Sequence, residues 1–298
     1  MSAETRENVE IQTYDQTTLR GWFYPAGSKS AALVMSPGLS ATKGTLDHFA
    51  RRFQAAGIAV LLYDHRNWGE SDGNQRHHSS LYEQTQDTHD VIHYVSTRPE
   101  IDPARIGLWG SSYSGGVAII AAAVDPRIKV VVSQVPFLSG KAQKARLPAD
   151  LLEKIYADRG ASTIANPTYI PVWPDTLEQA QQRPGDFILG TEESWHYREV
   201  IRQIDPENVN KITFQSMFDM VRAEPGAFIS QISPRPLLTV IAKHDSVLDS
   251  QIQQEIFDDA AGEPKQLLKL DCAHFDVYTG YCFEEVISAE IAFLKQHL

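Results

Sequence analysis

From Arg105 to Gly116 the chain runs from a short apolar stretch through a turn of small residues into a small-residue helix, and no other stretch limits the fold as tightly. Ile106, Leu108 and Trp109 suit a strand buried on both faces, and Val117 to Ala123 is a helix lean enough to pack closely on a sheet. Ser112 falls at the turn between them. A side chain there sits in strained backbone, and strand and helix can close around it only where the residues two before and two after are small. Gly110 and Ser114 meet that requirement. This is the layout of a nucleophile elbow, G-x-S-x-G, with Ser114 in place of the last glycine. The competing readings are a plain turn and a phosphate-cradling loop. No Walker lysine follows and the dinucleotide pattern G-x-G-x-x-G is absent, which removes the phosphate-binding readings with the clearest mechanisms.

Around the elbow, strand-like and helix-like segments alternate. Val9, Ile11 and Thr13 alternate with polar residues, as does Leu19 to Tyr24 after Tyr14-Asp15-Gln16, which predicts an antiparallel hairpin. Ala31 to Met35 predicts a buried strand ending at Ser36-Pro37-Gly38. Leu46, Phe49, Ala50 and Phe53 recur at helical spacing across Thr45 to Ala56, and Ile58 to Tyr63 is another buried strand. A helix over Leu81 to Thr97, the elbow, and a strand over Lys129 to Val135 follow. This rhythm predicts an α/β fold with a mostly parallel central sheet and helices on both faces. From Phe137 to about Ser230 no clean strand is evident, while helical stretches fall at Ala149 to Asp158, Thr176 to Gln182 and Trp195 to Ile204. Residues 137–230 therefore read as an inserted helical cap on a core formed by residues 1–136 and 231–298. The core resumes with a strand at Pro236 to Ile241, a helix at Ser250 to Ala261, a strand at Lys265 to Leu270 and a helix at Phe283 to His297.

At 298 residues and 42% hydrophobic content, the chain can bury one large core with an insertion. Its net charge of -11, with lysines and arginines scattered, argues against nucleic acid or an anionic membrane as partner. Met1 to Glu10 carries Glu4, Arg6, Glu7 and Glu10 without an apolar run, so neither a signal peptide nor a membrane anchor is expected there. Cys272 and Cys282 are too few for a disulfide framework and lack metal-ligand spacing. Buried reduced thiols and a cytoplasmic location are the expectation, with no metal and no cofactor.

A serine hydroxyl is a weak nucleophile at neutral pH and needs a base, which in turn needs a group to fix its tautomer and balance its charge. In a parallel sheet such groups lie in loops at the carboxyl ends of strands. Two loops qualify: Ala242 to Leu248, with Asp245, and Asp271 to Asp276 after the last strand, with His274. The order Ser112, Asp245, His274 is the one this layout requires. Among the 10 histidines His244 is the rival base, but it directly precedes the acid and is expected to face solvent. Asp249 and Asp276 are rival acids, Asp249 being better placed to cap the helix near Ser250. Donors for a developing oxyanion are expected from the backbone N–H groups of Tyr113 and of Leu39, after Ser36-Pro37-Gly38. Asp64 to Ser71 reads as a hydrogen-bonded scaffold beside the site. Trp173, Phe187, Trp195, Tyr197, Phe214 and Phe218 either line an acyl pocket or form the cap's own core.

Ser36-Pro37-Gly38, Tyr63 to Gly73, Trp109 to Gly116, Val132 to Pro136 and Ala273 to Tyr278 together resemble the polyketide-transferase branch of the α/β-hydrolase superfamily. The chain is more distantly similar to X-Pro dipeptidyl-peptidase-like and dienelactone-hydrolase-like enzymes. The likeness spans nearly the whole chain outside the cap. It implies an α/β-hydrolase fold, a Ser112, Asp245, His274 triad, and release or transfer of an acyl chain from a thioester carrier, often in secondary metabolism. Where many members of the superfamily have His-Gly at the oxyanion loop, this chain has Pro37-Gly38.

The function expected is that of a serine-dependent hydrolase or acyltransferase acting on an ester or thioester of a long-chain or polyketide acyl group through an acyl-enzyme. The partner expected is a small acyl substrate, free or as a carrier-bound thioester, and a homodimer is compatible with the sequence. The alternatives are a carbon–carbon bond hydrolase of a diketone and a non-catalytic ligand-binding protein on the same fold. Epoxide hydrolysis and dehalogenation are disfavoured, because those chemistries place an aspartate where Ser112 stands.

Overall fold

The computed structural model describes residues 6–298, with the backbone alone at Pro184. Residues 1–5 of the Met1 to Glu10 start lie outside the described residues. The hairpin is β1 (Glu7–Gln12) and β2 (Thr18–Tyr24), paired antiparallel. It leads into β3 (Ser30–Ser36), α1 (Asp47–Ala55), β4 (Ala59–Tyr63), α2 (Leu81–Thr97), β5 (Ile101–Ser111), α3 (Tyr113–Val124) and β6 (Ile128–Gln134). Residues 137–230 then supply α4 (Gly140–Arg146), α5 (Ala149–Ala161), β7 (Tyr169–Ile170), α6 (Leu177–Gln182), α7 (Glu192–Ile204), β8 (Ile212–Thr213) and α8 (Phe214–Arg222). The chain closes with β9 (Leu237–Ala242), α9 (Ser250–Ala260), β10 (Lys265–Leu270), α10 (Asp276–Thr279) and α11 (Phe283–His297).

The main sheet has the order β1-β2-β4-β3-β5-β6-β9-β10, and every strand from β4 onward in that order runs parallel to its neighbour. Successive side chains of a strand point to opposite faces, and here both faces are covered. Leu33, Met35, Val60 and Leu62 pack on one side with Phe49 and Phe53 of α1 and Val286 and Ile287 of α11. Ala32, Val34, Ala59 and Leu61 pack on the other with Val91 and Ile92 of α2 and Ala118 and Ile119 of α3. All five residues of β4 are fully buried, which is why that strand reads as an unbroken apolar run.

The structure departs locally from the sequence reading at four places. The helix read over Thr45 to Ala56 opens as a 3-10 turn, Lys43–Leu46, and becomes α-helical at Asp47. Lys43 is drawn inward there, its backbone N–H and ammonium both held by Asp64 at 2.7 and 2.6 Å. β5 begins at Ile101, ahead of the apolar run, and the pairing with β3 jumps from Ser30↔Ile101 to Ala32↔Ile106. Pro103, with no N–H to donate, falls in that irregular stretch. In residues 137–230, where no strand was evident, β7 and β8 pair antiparallel over two residues each, too short to show a period. The same segment also holds α4 and α8. Among the described residues no helix is long and apolar enough to cross a membrane.

Candidate active site

β5 ends at Ser111 and α3 begins at Tyr113, so a single residue turns the chain. That residue, Ser112, has φ 55° and ψ -119°, a conformation that costs a non-glycine residue free energy and persists only where neighbours enforce it. They do so through hydrogen bonds: the Ser112 N–H donates to Gln134 O at 2.9 Å, and the Ser112 carbonyl accepts from Phe137 N at 2.8 Å and Gly115 N at 2.9 Å. Gly110 makes the approach of strand and helix possible, since a Cβ there would lie 2.0 Å from the Ser114 carbonyl oxygen.

Ser114, at the position where the common motif has glycine, is fully buried and has a task of its own. Its hydroxyl donates to the carbonyl of Pro37 and lies 2.8 Å from His65 Nε2. Since the one hydroxyl proton is committed to a carbonyl, His65 must be the donor in the second bond, which fixes its tautomer. Burial pushes the His65 pKa down to about 3, so the ring is neutral. The Asp64 to Ser71 loop that carries it is otherwise a scaffold, with Asp64 accepting also from the Glu70 N–H at 3.0 Å.

The two late loops converge. His274 Nδ1 donates to Asp245 Oδ2 at 2.7 Å, and both side chains are almost completely buried. The other carboxylate oxygen of Asp245 accepts from the N–H groups of Val247, at 2.8 Å, and Leu248, at 2.7 Å, so the carboxylate is locked by its own loop. The rivals are occupied elsewhere. Asp249 caps α9 through the Gln251 and Ile252 N–H groups, Asp276 accepts from Ala273 N at 2.9 Å, and exposed His244 pairs with Asp271.

Ser112 and His274 line one cavity together with Leu39 and Tyr113. No hydrogen bond joins Ser112 Oγ to the ring, a bond often long before substrate enters. As the first residue of α3, Tyr113 has no intrahelical acceptor for its N–H. Gly38 abuts the serine, a Cβ there lying 3.2 Å from Ser112 Cβ. The rest of the lining is mainly apolar: of the six aromatics in residues 137–230 singled out from sequence, Trp173 and Tyr197 reach it, and Phe187 lines an adjoining groove. Phe275, directly after His274, stacks on Tyr197 at 4.4 Å and 11° and joins the His274 loop to α7. Nothing but its place beside the histidine marked Phe275 in the sequence. Phe137, Met220, Val247 and Leu248 also line the cavity, and only the fold brings them there. Among the described residues no group of three or more histidines, cysteines or carboxylates is placed to hold a metal.

This arrangement can raise a hydroxyl beside a buried imidazole paired to a carboxylate, facing an apolar cavity with unused backbone donors. Known proteins share the architecture. The chain is 32% identical to the polyketide transferase ATR5 of Stachybotrys chlorohalonatus, over 100% of this chain and 99% of that protein. It is 34% identical to the thiohydrolase apmlB of Arthrinium phaeospermum, over 98% of this chain and 97% of that protein. The crystal structure of the α/β hydrolase GrgF from Penicillium sp. sh18 matches with a TM-score of 0.84 at 29% identity, covering 98% of this chain and 99% of that one. A profile described as serine aminopeptidase, S33, matches residues 27–273. The resemblance read from the motifs is thereby borne out: the chain is an enzyme of the α/β-hydrolase fold and belongs to the serine aminopeptidase, S33, family.

Proposed function

We propose that this enzyme is a serine-dependent hydrolase or acyltransferase of esters or thioesters of long-chain or polyketide acyl groups. The observation that carries the reading is the presence, in one largely apolar cavity, of a serine in a strained positive-φ conformation and a histidine already paired to a buried aspartate. Ser112 Oγ attacks the acyl carbonyl as His274 Nε2 takes the hydroxyl proton. Asp245 holds the ring in the tautomer that leaves Nε2 free and balances the imidazolium that forms. The carbonyl oxygen, now an oxyanion, is held by the N–H groups of Leu39 and Tyr113. Collapse of the tetrahedral species expels the thiol or alcohol, which takes the proton back from His274. Water or an acceptor alcohol then attacks the acyl carbon as the ring takes its proton, and the ring passes that proton to Ser112 Oγ as the acyl–serine bond breaks, restoring the free hydroxyl and the neutral imidazole.

The names of the relatives, polyketide transferase and thiohydrolase, support both the acyl class and the openness of the second step. Residues 137–230 act as a lid on a core of residues 1–136 and 231–298, supplying Trp173, Ile188, Tyr197 and Met220 to the acyl cavity. Cys272 and Cys282, buried and unbridged, support a cytoplasmic setting.

A fluorophosphonate probe followed by intact mass tests the chemistry: one adduct is expected on the wild type and none on Ser112→Ala. No adduct on the wild type, or one that survives the substitution, removes the serine mechanism. A panel of acyl thioesters of graded length, with and without alcohols and read by mass spectrometry, then identifies the acyl group and its acceptor.

A further inference from the structure

One side chain of residues 137–230 bonds to both the acid loop and the base loop, beside the separate contacts that Thr191 and Arg146 make with Ser246. Glu193, in the first turn of α7, accepts a hydrogen bond from the Phe275 backbone N–H at 2.7 Å through Oε1 and another from the Ser246 hydroxyl through Oε2. Ser246 directly follows Asp245, and Phe275 directly follows His274. Glu193 does not cap its own helix, because Thr191 does so, accepting from the Ser194 N–H at 3.2 Å. Nor is it in an ion pair with any cation among the described residues. Its two oxygens are committed instead to the two loops that present the acid and the base.

We propose that Glu193 is a positioning residue, a latch that holds the Asp245 and His274 loops in register when α7 is seated over the cavity. The proposal rests on the serine reading given above. Val247 and Leu248 clasp Asp245 from one side, so a shift of Ser246 carries the carboxylate with it. Phe275 is anchored twice to α7, by its N–H on Glu193 and by its ring on Tyr197. Lifting α7 breaks both bonds to Glu193 together and slackens the pair that activates Ser112. The acid and base are then fully aligned only under the closed lid, where bulk water is excluded from the acyl-enzyme.

The test compares Glu193→Ala, Glu193→Gln and Ser246→Ala with wild type in the rate of fluorophosphonate labelling at Ser112, each first shown by thermal melting to be folded. In Glu193→Gln the amide oxygen accepts from Phe275 N–H and the amide N–H donates to Ser246 Oγ, so its labelling slows by less than about tenfold. Glu193→Ala, with both bonds gone, slows on the order of 100-fold, the penalty of a small misplacement of catalytic groups. Ser246→Ala, which keeps the Phe275 bond to Glu193 and loses the Ser246 hydroxyl's contacts with Glu193 and with Thr191 Oγ1, falls between them. The downfield proton resonance of His274 Nδ1–H, identified by its loss in Asp245→Asn, persists in Glu193→Gln and broadens in Glu193→Ala.

Labelling of Glu193→Ala at the wild-type rate overturns the latch, as does equal slowing of the Ala and Gln variants. Slowed labelling with an unchanged His274 resonance overturns it too, leaving Glu193 a role in stability alone. If Glu193→Ala does not fold, a wild-type rate in Ser246→Ala decides against the proposal. Absence of labelling in the wild type instead overturns the serine reading, so the two failures are distinct.

Discussion

Glu290, on the inward face of α11, is fully buried, and the polar group that bears on its carboxyl, the Trp109 indole N–H, falls short of full hydrogen-bond geometry. Burial pushes its pKa from 4.5 up to about 8, with the Trp109 indole opposing the rise only in part. Below pH 4.5 folded and unfolded chains both carry the proton and the group has no net effect. Above it the unfolded chain releases a proton that the folded chain keeps, so stability falls as pH rises, until the folded carboxyl also ionises near 8. At about 1.4 kcal/mol per pH unit, this interval corresponds to a loss on the order of 5 kcal/mol, roughly half of it between about pH 6 and 9. Glu290→Gln keeps the shape and removes the titration. Thermal melts of both proteins across that range should show the wild type losing about 5 °C more than the variant. Parallel melting curves across the range would mean that the carboxyl is not held protonated, and the burial argument would fail. The site has a stake in the outcome, because Trp109 directly precedes Gly110 of the elbow.

Asp245→Asn should lower kcat/KM on the order of 10⁴-fold with a chromogenic acyl ester, because the amide no longer enforces the Nδ1–H tautomer of His274. A loss of less than about tenfold would move the acid role elsewhere. Gly110→Ala should yield no folded protein by circular dichroism, since the new Cβ would lie 2.0 Å from the Ser114 carbonyl oxygen. Wild-type melting of that variant would contradict the close approach of β5 and α3. His65 supplies the acid-side counterpart of Glu290. With its folded pKa lowered from 6.5 to about 3, the unfolded chain takes up a proton that the folded chain refuses, and stability is lost as pH falls from 6.5 toward 3. His65→Gln, which keeps an N–H donor for Ser114, should show a shallower acid limb in denaturant melts, and superimposable limbs would contradict the neutral ring.

The alternation of apolar runs with periodic helices was enough to place the parallel strands, because burial on both faces leaves a continuous signature such as Ala59 to Tyr63. The order of Ser112, Asp245 and His274 along the chain carried the pairing of the last two, since each follows a strand whose end is fixed by the sheet. Residues 137–230 were less legible. In α4 only Gly140 is buried, so the helix has no apolar stripe to read. In α8 Phe214, Met217, Phe218 and Val221 do carry the i, i+3, i+4, i+7 pattern, and Thr213 caps it, so that helix was readable on its own terms. The cavity walls were out of reach for a different reason. Phe137, Val247 and Phe275 are apolar residues in loops, and their convergence depends on where three strands end rather than on any local pattern.

Ser114 poses the sharpest test of how the elbow works, because Ser114→Gly would give the chain the common G-x-S-x-G motif. Steric logic alone predicts that the change is harmless or helpful. The hydrogen bonds predict the reverse. Without the hydroxyl, the Pro37 carbonyl loses its donor and His65 Nε2 loses its acceptor inside a fully buried site. A buried polar group left unpaired costs about 1–3 kcal/mol, so the variant should melt lower than wild type. The Pro37 carbonyl and the Gly38 N–H belong to one peptide plane, and Gly38 abuts Ser112 and leads to Leu39. Releasing that plane misaims the Leu39 N–H, one of the two proposed oxyanion donors. Removing such a donor outright costs about 10²–10³ in kcat, and misaiming it should cost on the order of tenfold. Because the harm falls on the tetrahedral species, kcat and the affinity for a trifluoromethyl ketone should drop together while KM changes little. A Ser114→Gly enzyme with wild-type kcat and melting temperature would show that the Ser114 hydroxyl merely fills space, and the link from elbow to oxyanion loop would have to be abandoned.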